Sequence, residues 1–254
     1  MPPDSAADLP SRDSPPERTP ARLPPTLIPA GTALRVVGDV HGDARAFAAA
    51  LATDSFVVQL GDIVDYGPAS GETLRMALDM VDQGRGIFLL GNHDHKLGRA
   101  LADRGVRIGP ELATTLRQLD ADLRRRAAAA IERAPIWLRQ PTADGSTRIF
   151  VHGAFHTDML AASPPPLPEG RVNGVLARAL YGQTTGRLQP DGYPERVLHW
   201  VDHIPAGMTV YVGHDRRSTD GRPYFRQGRY GGTAVFLDTG AGKGGHLSWI
   251  DLPA

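Results

Sequence analysis

The chain has no cysteine among its 254 residues, which excludes disulfides, thiolate metal sites and a cysteine nucleophile. It also has no excess charge. Its 28 basic and 28 acidic residues cancel, so no global field steers it towards nucleic acid or an anionic membrane. The densest local charge, Arg124-Arg125-Arg126 in the run Leu123 to Ala134, reads as a solvated helix face. No apolar run reaches membrane-spanning length, and Met1-Pro2-Pro3-Asp4 is not a basic segment followed by an apolar one, which reads as a cytoplasmic protein. What remains is 41% hydrophobic and 22% charged, the composition of an ordinary globule with a sizeable core.

Residues 1–30 are dense in Pro, Ser, Ala and alternating charges. Such a stretch has too few large apolar groups to offset the entropy of ordering and is expected to be a disordered tail. Residues 31–254 are expected to form one domain. Within it, apolar runs at Leu34 to Gly38, Phe56 to Leu60, Gly86 to Leu90, Arg148 to Val151, Met208 to Gly213, Thr233 to Asp238 and His246 to Ile250 read as strands, several apolar on both faces and hence covered on both. Helical spacing is expected at Asp43 to Leu51, Glu72 to Gln83, Glu111 to Ala134 and Pro194 to Asp202. The alternation implies a layered α/β domain.

Five short words follow apolar runs: Gly38-Asp39-Val40-His41-Gly42, Gly61-Asp62-Ile63-Val64-Asp65, Gly91-Asn92-His93-Asp94, His152-Gly153 and Gly213-His214. A lone Gly-Asp is a turn and a lone His-Gly a strand end, but five in order deliver oxygen and nitrogen donors beyond the carboxyl ends of strands, where open α/β sheets gather ligands. Such donors suit manganese, iron, zinc or nickel. Asp39 and His41 lie two apart and can grip one ion from one side of an extended segment. Asp62 can bridge two ions, with Asn92, His152 and His214 completing the second. Two divalent ions would polarise a phosphoryl group and create a metal-bridging hydroxide as nucleophile. His93 is the candidate proton donor to the leaving oxygen, and Asp65 can orient it. His95, His156, His199, His203 and His246 read as surface or packed residues, with His95 and His156 closest to the site.

These words resemble the calcineurin-like metallophosphoesterase superfamily in its phosphoprotein-phosphatase branch. Ala179-Leu180-Tyr181-Gly182-Gln183-Thr184-Thr185-Gly186, Asp191-Gly192-Tyr193-Pro194, Asp238-Thr239-Gly240 and Gly244-Gly245-His246-Leu247 resemble more narrowly the phosphatase domain of bacterial polynucleotide kinase-phosphatases and the PrpE-type enzymes. The resemblance implies a four-layer α/β/β/α sandwich of two mixed sheets flanked by helices and a dinuclear, manganese-preferring centre on the six ligands named above. It also implies His93 as proton donor with Asp65 as its partner.

The chain departs from the pattern at three positions. Tyr66 stands where the family usually has an arginine that clamps the substrate phosphate, which leaves Arg187, Arg216 and Arg217 as candidate clamps. Asp94 replaces a glutamate usual in protein phosphatases. Asp215 follows the last ligand, where it could hold an imidazole in its metal-binding tautomer. The expected function is metal-dependent hydrolysis of phosphate esters on small or nucleotidic substrates. Symmetrical cleavage of dinucleoside tetraphosphates and serine/threonine protein dephosphorylation are the enzymatic alternatives. A catalytically silent binder of metal and a phosphorylated ligand is the non-enzymatic one.

Overall fold

A computed structural model describes residues 27–161, 172, 174–190 and 192–254. The expected tail therefore lies outside the described residues as far as residue 26, and so does Asp191. Ile28, inside the segment expected to be tail, is 2% exposed and packs in the core.

The first half of the chain alternates strand and helix: β1 (Leu34–Val37), α1 (Ala44–Leu51), β2 (Phe56–Gln59), α2 (Ser70–Asp82), β3 (Gly86–Phe88) and α3 (Asn92–Leu101). The β1, β2 and β3 strands run parallel, and β11 (Trp249–Leu252) closes the edge beside β1 antiparallel. After α4 (Pro110–Arg117) and α5 (Ala121–Arg133) comes a second sheet, ordered β4 (Trp137–Pro141), β5 (Thr147–Val151), β8 (Met208–Val212), β10 (Thr233–Phe236) and β9 (Tyr224–Gln227). Its three central strands are parallel and its two edges antiparallel. Between β5 and β8 lie a 3-10 turn, Thr157–Leu160, α6 (Gly174–Tyr181), a hairpin of β6 (Thr184–Leu188) and β7 (Pro194–Arg196), and the single-turn α7 (His199–Asp202).

Side-chain alternation along the strands explains the layering. Val36, Val58, Leu60 and Leu89 of the first sheet meet Phe150, Tyr211, Val235 and Leu237 of the second in one buried cluster between the sheets. The intervening residues face outward. Val37, Val57 and Phe88 are covered by Phe47, Leu74 and Leu97 of the helices, while Val210, Val212 and Phe236 are covered by Leu180 and Trp200. The result is two mixed sheets face to face, flanked by helices, as the resemblance implied.

The expected helix from Glu111 to Ala134 is two. The first ends at Arg117 with Gln118 as its cap, Asp120 caps the second, its side chain accepting from the Leu123 N–H at 2.8 Å, and Gln118 docks the break onto Gly71 N at 2.8 Å. Pro194 to Asp202, expected helical, is a hairpin strand and one helical turn. The edge strands β4 and β9 escape the sequence reading because they carry exposed residues such as Arg139 and Phe225 in place of an apolar run. Arg124 and Arg125 are exposed on α5, as a solvated helix face requires, while Arg126 turns to α2 and pairs with Asp79 at 2.7 Å and Asp82 at 2.8 Å.

Phe150 is fully buried between the sheets and stacks on Tyr211 with ring centroids 5.3 Å apart. Phe150→Ala should lower the unfolding free energy by about 3–5 kcal/mol, read from urea titrations. A loss below about 1 kcal/mol would show that the ring is not packed as described.

Candidate metal centre

Strand register builds the site. Parallel pairing of Val37 with Gln59 brings the segments after β1 and β2 level, so that the N–H groups of Val40 and His41 both donate to Asp62 O at 3.0 Å. In the second sheet Val151 pairs with Val212, and Gly213 N donates to His152 O at 3.0 Å. The two strand-end clusters then bond to each other. His214 N donates to the Asp39 carboxylate at 3.0 Å, and His152 Nδ1 to Leu60 O at 2.8 Å. Gly213 permits this approach, because a Cβ there would lie 2.1 Å from Asp39 Oδ1.

Two donor triads result, Asp39–His41–Asp62 and Asp62–His152–His214, each with its ligand atoms within 4.8 Å of one another. They share Asp62. His41 Nε2 is 3.6 Å from Asp62 Oδ2 and His152 Nε2 is 3.5 Å from Asp62 Oδ1, so each oxygen faces a different imidazole. Asn92 Oδ1 lies 3.1 Å from His152 Nε2. Backbone carbonyls set the tautomers: Val64 O takes His41 Nδ1–H at 2.9 Å, Leu60 O takes His152 Nδ1–H, and Tyr181 O takes His214 Nε2–H at 3.1 Å. The opposite ring nitrogens of His41 and His214 are left with lone pairs, while His152 Nε2 faces the Asn92 and Asp62 oxygens and keeps its proton until a cation displaces it. His41 Nε2 is buried with no hydrogen-bond partner, as expected of an atom whose partner is a cation. The donor set therefore fits two divalent ions.

The electrostatics agree. Before any cation binds, burial and then the carboxylates of Asp238 and Asp62 push Asp39 well above the usual carboxylate range. Burial opposes the charge of Asp62, but the surrounding histidines, His152 first, hold it well below that range. His152 rises to about 9, because Asp62 and Asp39 outweigh the burial that disfavours its charge. Burial lowers His41 to about 3. Burial and neighbouring His152 and Arg196 also lower His214. The proton on His152 and the raised proton affinity of Asp39 thus mark places that cations would take.

The backbone is strained at the same spots. His41, Asp62, Asp65, Tyr66 and His214 have φ of 45°, 58°, 73°, 64° and 59°, each costing about 1–3 kcal/mol for a residue with a side chain. Asp94 supports the most critical of them. Its carboxylate accepts from Asp62 N at 2.7 Å, Ile63 N at 3.0 Å and Gly91 N at 3.2 Å, and burial and Asp62 lift it to about 7. The residue that sequence marked as a departure is a clamp on the shared aspartate.

His93 opens α3 beside this cluster. Its Nδ1 donates to Asp65 Oδ2 at 2.6 Å, Thr115 donates to Asp65 Oδ1 at 2.6 Å, and the His93 ring centroid is 5.1 Å from that of His41. His93 Nε2 is therefore the nitrogen left to face a substrate. Thr115, from α4, has no local sequence signal.

A sequence model of the calcineurin-like phosphoesterases matches residues 34–216. The chain belongs to this family. Among curated relatives, the PrpE bis(5'-nucleosyl)-tetraphosphatase [asymmetrical] of Anoxybacillus flavithermus is 25% identical over 240 residues, covering 86% of this chain and 89% of that protein. The enzyme of the same name from Geobacillus thermodenitrificans is 26% identical with the same coverage. Among solved structures, a candidate diadenosine tetraphosphatase superposes with a TM-score of 0.57 at 21% identity, covering 90% of this chain and 96% of that one. A Saccharomyces cerevisiae serine/threonine phosphatase similar to human PP5 gives 0.53 at 15% identity, covering 88% and 80%. Both share the fold. The chain is accordingly a phosphoric ester hydrolase of a family that works with two metal ions.

The three candidate arginines of the phosphoesterase lie outside its two donor triads. Arg187 is exposed on the β6–β7 hairpin. Arg216 and Arg217 line a cleft of about 150 Å³ with Gln189, Tyr193, Arg196 and Asp215, adjoining the site where Tyr193 donates to His214 O at 3.3 Å. Asp215 pairs with Arg217 at 2.5 Å, so it does not hold an imidazole, and the Tyr181 carbonyl does that work for His214. His95 reaches the Tyr181 hydroxyl at 3.4 Å, whereas His156 only caps the 3-10 turn. Sequence reading missed Asp238, buried at the end of β10 with Oδ2 unpartnered, although it too follows an apolar run.

Because His152, raised to about 9, holds a proton at neutral pH, metal uptake must displace it. Manganese affinity should rise by about tenfold per pH unit for each proton displaced between pH 6 and 8, with proton release seen by calorimetry in buffers of different ionisation enthalpy. An affinity flat across that range, with no proton release, would refute the assignment.

Proposed function

We propose that the phosphoesterase hydrolyses nucleotidic polyphosphates of the dinucleoside tetraphosphate class by asymmetrical cleavage, using two manganese ions, in the cytoplasm. One observation carries the assignment of chemistry: a single buried carboxylate, Asp62, is shared between two histidine-bearing triads and flanked by the His93–Asp65 pair. In this reading Asp39 and His41 hold one ion, Asp62 bridges, and Asn92, His152 and His214 hold the other. The ions, when bound, polarise the phosphoryl oxygens and lower the pKa of water towards neutral. Water adds to phosphorus, the bond to the leaving oxygen breaks, and His93 gives that oxygen its proton from Nε2 while Asp65, steadied by Thr115, holds the imidazolium.

Two observations support the substrate class. The curated relatives carry the asymmetrical name over 86% of this chain, and the cleft beside His214 holds Arg196, Arg216 and Arg217 against one carboxylate, Asp215. Further phosphates of a polyphosphate would meet guanidinium groups there. The symmetrical cleavage considered from sequence is set aside in favour of the form the relatives' name specifies.

Manganese-loaded protein should convert diadenosine tetraphosphate to ATP and AMP faster than it turns over p-nitrophenyl phosphate, a nucleoside monophosphate or a phosphopeptide. ADP as the sole product, or preference for the phosphopeptide, would overturn the substrate reading. His93→Ala should lower kcat by about a hundredfold or more with metal content retained, and Asp62→Asn should lose both metal and turnover. Unaltered turnover in either variant would overturn the assigned roles.

A further inference from the structure

One cation stands at the centre itself, and the sequence reading did not single it out. Lys243 lies in the turn after β10, where its N–H donates to Gly240 O at 3.0 Å. The preceding Gly242 presses so closely on the loop of the first triad that a Cβ there would sit 2.2 Å from His41 O. The Lys243 backbone is thereby fixed against a metal-site residue. Its ammonium rests 4.5 Å from the ring centroid of Tyr66. That ring in turn meets His41 at 5.0 Å and His93 at 5.1 Å. Tyr66 is 49% exposed, so the lysine and the ring form part of the rim between solvent and the two histidines.

An ammonium in that position needs an explanation. Lys243 is only partly exposed and forms no ion pair or hydrogen bond through its side chain among the described residues. Its charge is favoured only at longer range, by Asp238, Asp39 and Asp62. Loading the centre with two divalent ions offsets those carboxylates and leaves the ammonium facing like charge. An anion between the ions and the lysine removes that repulsion, and the anion this enzyme must bind is a phosphoryl group.

We propose that Lys243 binds the reacting phosphate of the substrate, the task for which sequence offered only distant arginines, and that Tyr66 is a positioning residue that holds the ammonium over the centre by a cation–π contact. The proposal rests on reading the centre as a phosphoesterase site. Lysine suits the position as a compact point charge on a flexible stem, able to follow the phosphoryl group without a fixed fork geometry.

The test uses manganese-loaded full-length protein with metal content measured for every variant, and inorganic phosphate as the probe in calorimetry. Lys243→Met should weaken phosphate binding by about tenfold or more at unchanged metal content and raise KM more than it lowers kcat. Lys243→Arg, which keeps the charge, should recover most of the affinity. Tyr66→Leu should weaken phosphate binding by a smaller factor. Phosphate affinity in Lys243→Met equal to that of the wild type, while the wild type turns over ester, overturns the role of Lys243 alone. Loss of metal in Lys243→Met, or failure of Lys243→Arg to recover binding, assigns the lysine a structural role and also overturns it. A wild-type protein that takes up manganese but neither binds phosphate nor hydrolyses any ester overturns this proposal together with the functional reading beneath it.

Discussion

The structure depends on the burial of one shared carboxylate. Asp62 is 2% exposed, and burying an anion without compensation is expensive. Compensation comes in layers. Its backbone N–H is taken by Asp94, its Oδ1 accepts from His93 N at 2.8 Å, and imidazoles face each oxygen. None of these neutralises Asp39 and Asp238 as well. The acidic cluster is tolerable with bound protons, for which Asp39 and His152 have raised affinity, or with cations in their place, so the fold carries a standing preference for cations at the point where its two sheets converge.

The convergence follows from parallel pairing. In both sheets the carboxyl ends of the parallel strands open on the same side of the sandwich, and the shortest path from each strand into the next helix runs through the site. Short turns there force backbone angles that L-residues avoid, and with one exception, Asp103, the positive-φ non-glycine residues described fall in that cluster. Strain concentrated in this way persists only where surrounding bonds over-determine it. The hydrogen bonds from Val40, His41 and Gly42 to Asp62 and Ile63 oxygens supply that over-determination, which is why the ligand loops are held rigidly before any ion arrives.

Much of this was legible in sequence for one reason: each ligand follows an apolar run, and a residue at the end of a buried parallel strand has nowhere to point but the crevice. Six of the seven strands inferred from apolar runs exist near their expected bounds, the seventh lies at Trp249–Leu252 where His246 to Ile250 was expected, and Asp39, His41, Asp62, Asn92, His152 and His214 come together. The same logic would have found Asp238. It could not find Thr115, Tyr181 O or Lys243, because each acts through a contact made by tertiary folding across dozens of residues. The structure separates the three arginines that sequence offered: Arg187 is exposed on the β6–β7 hairpin, while Arg216 and Arg217 line the cleft beside His214. Adjacency to a ligand word says that a residue is near in sequence, but the direction of its side chain is set by the hairpin or turn that carries it. Asp215 fails as a support for an imidazole for a related reason, since Arg217, two residues on, is the partner within its reach.

Charge also dictates an order of events. Without ions, the centre holds the buried acids Asp39, Asp62 and Asp238 and offers a phosphate ester no divalent charge, and among the described residues Lys243 and the arginine cleft beside His214 favour its approach. With two divalent ions the positive charge exceeds that of the three carboxylates and the centre becomes positive. In the proposed reading the same side chains that first attract the metal would frame an oligoanion, with Lys243 on the Tyr66 side and Arg196, Arg216 and Arg217 on the His214 side. A substrate carrying several phosphates can engage both flanks at once, whereas a monoester reaches only one. Under the proposed function, metal loading ahead of substrate and preference for extended polyanions would both follow from one arrangement of charge and need no moving part.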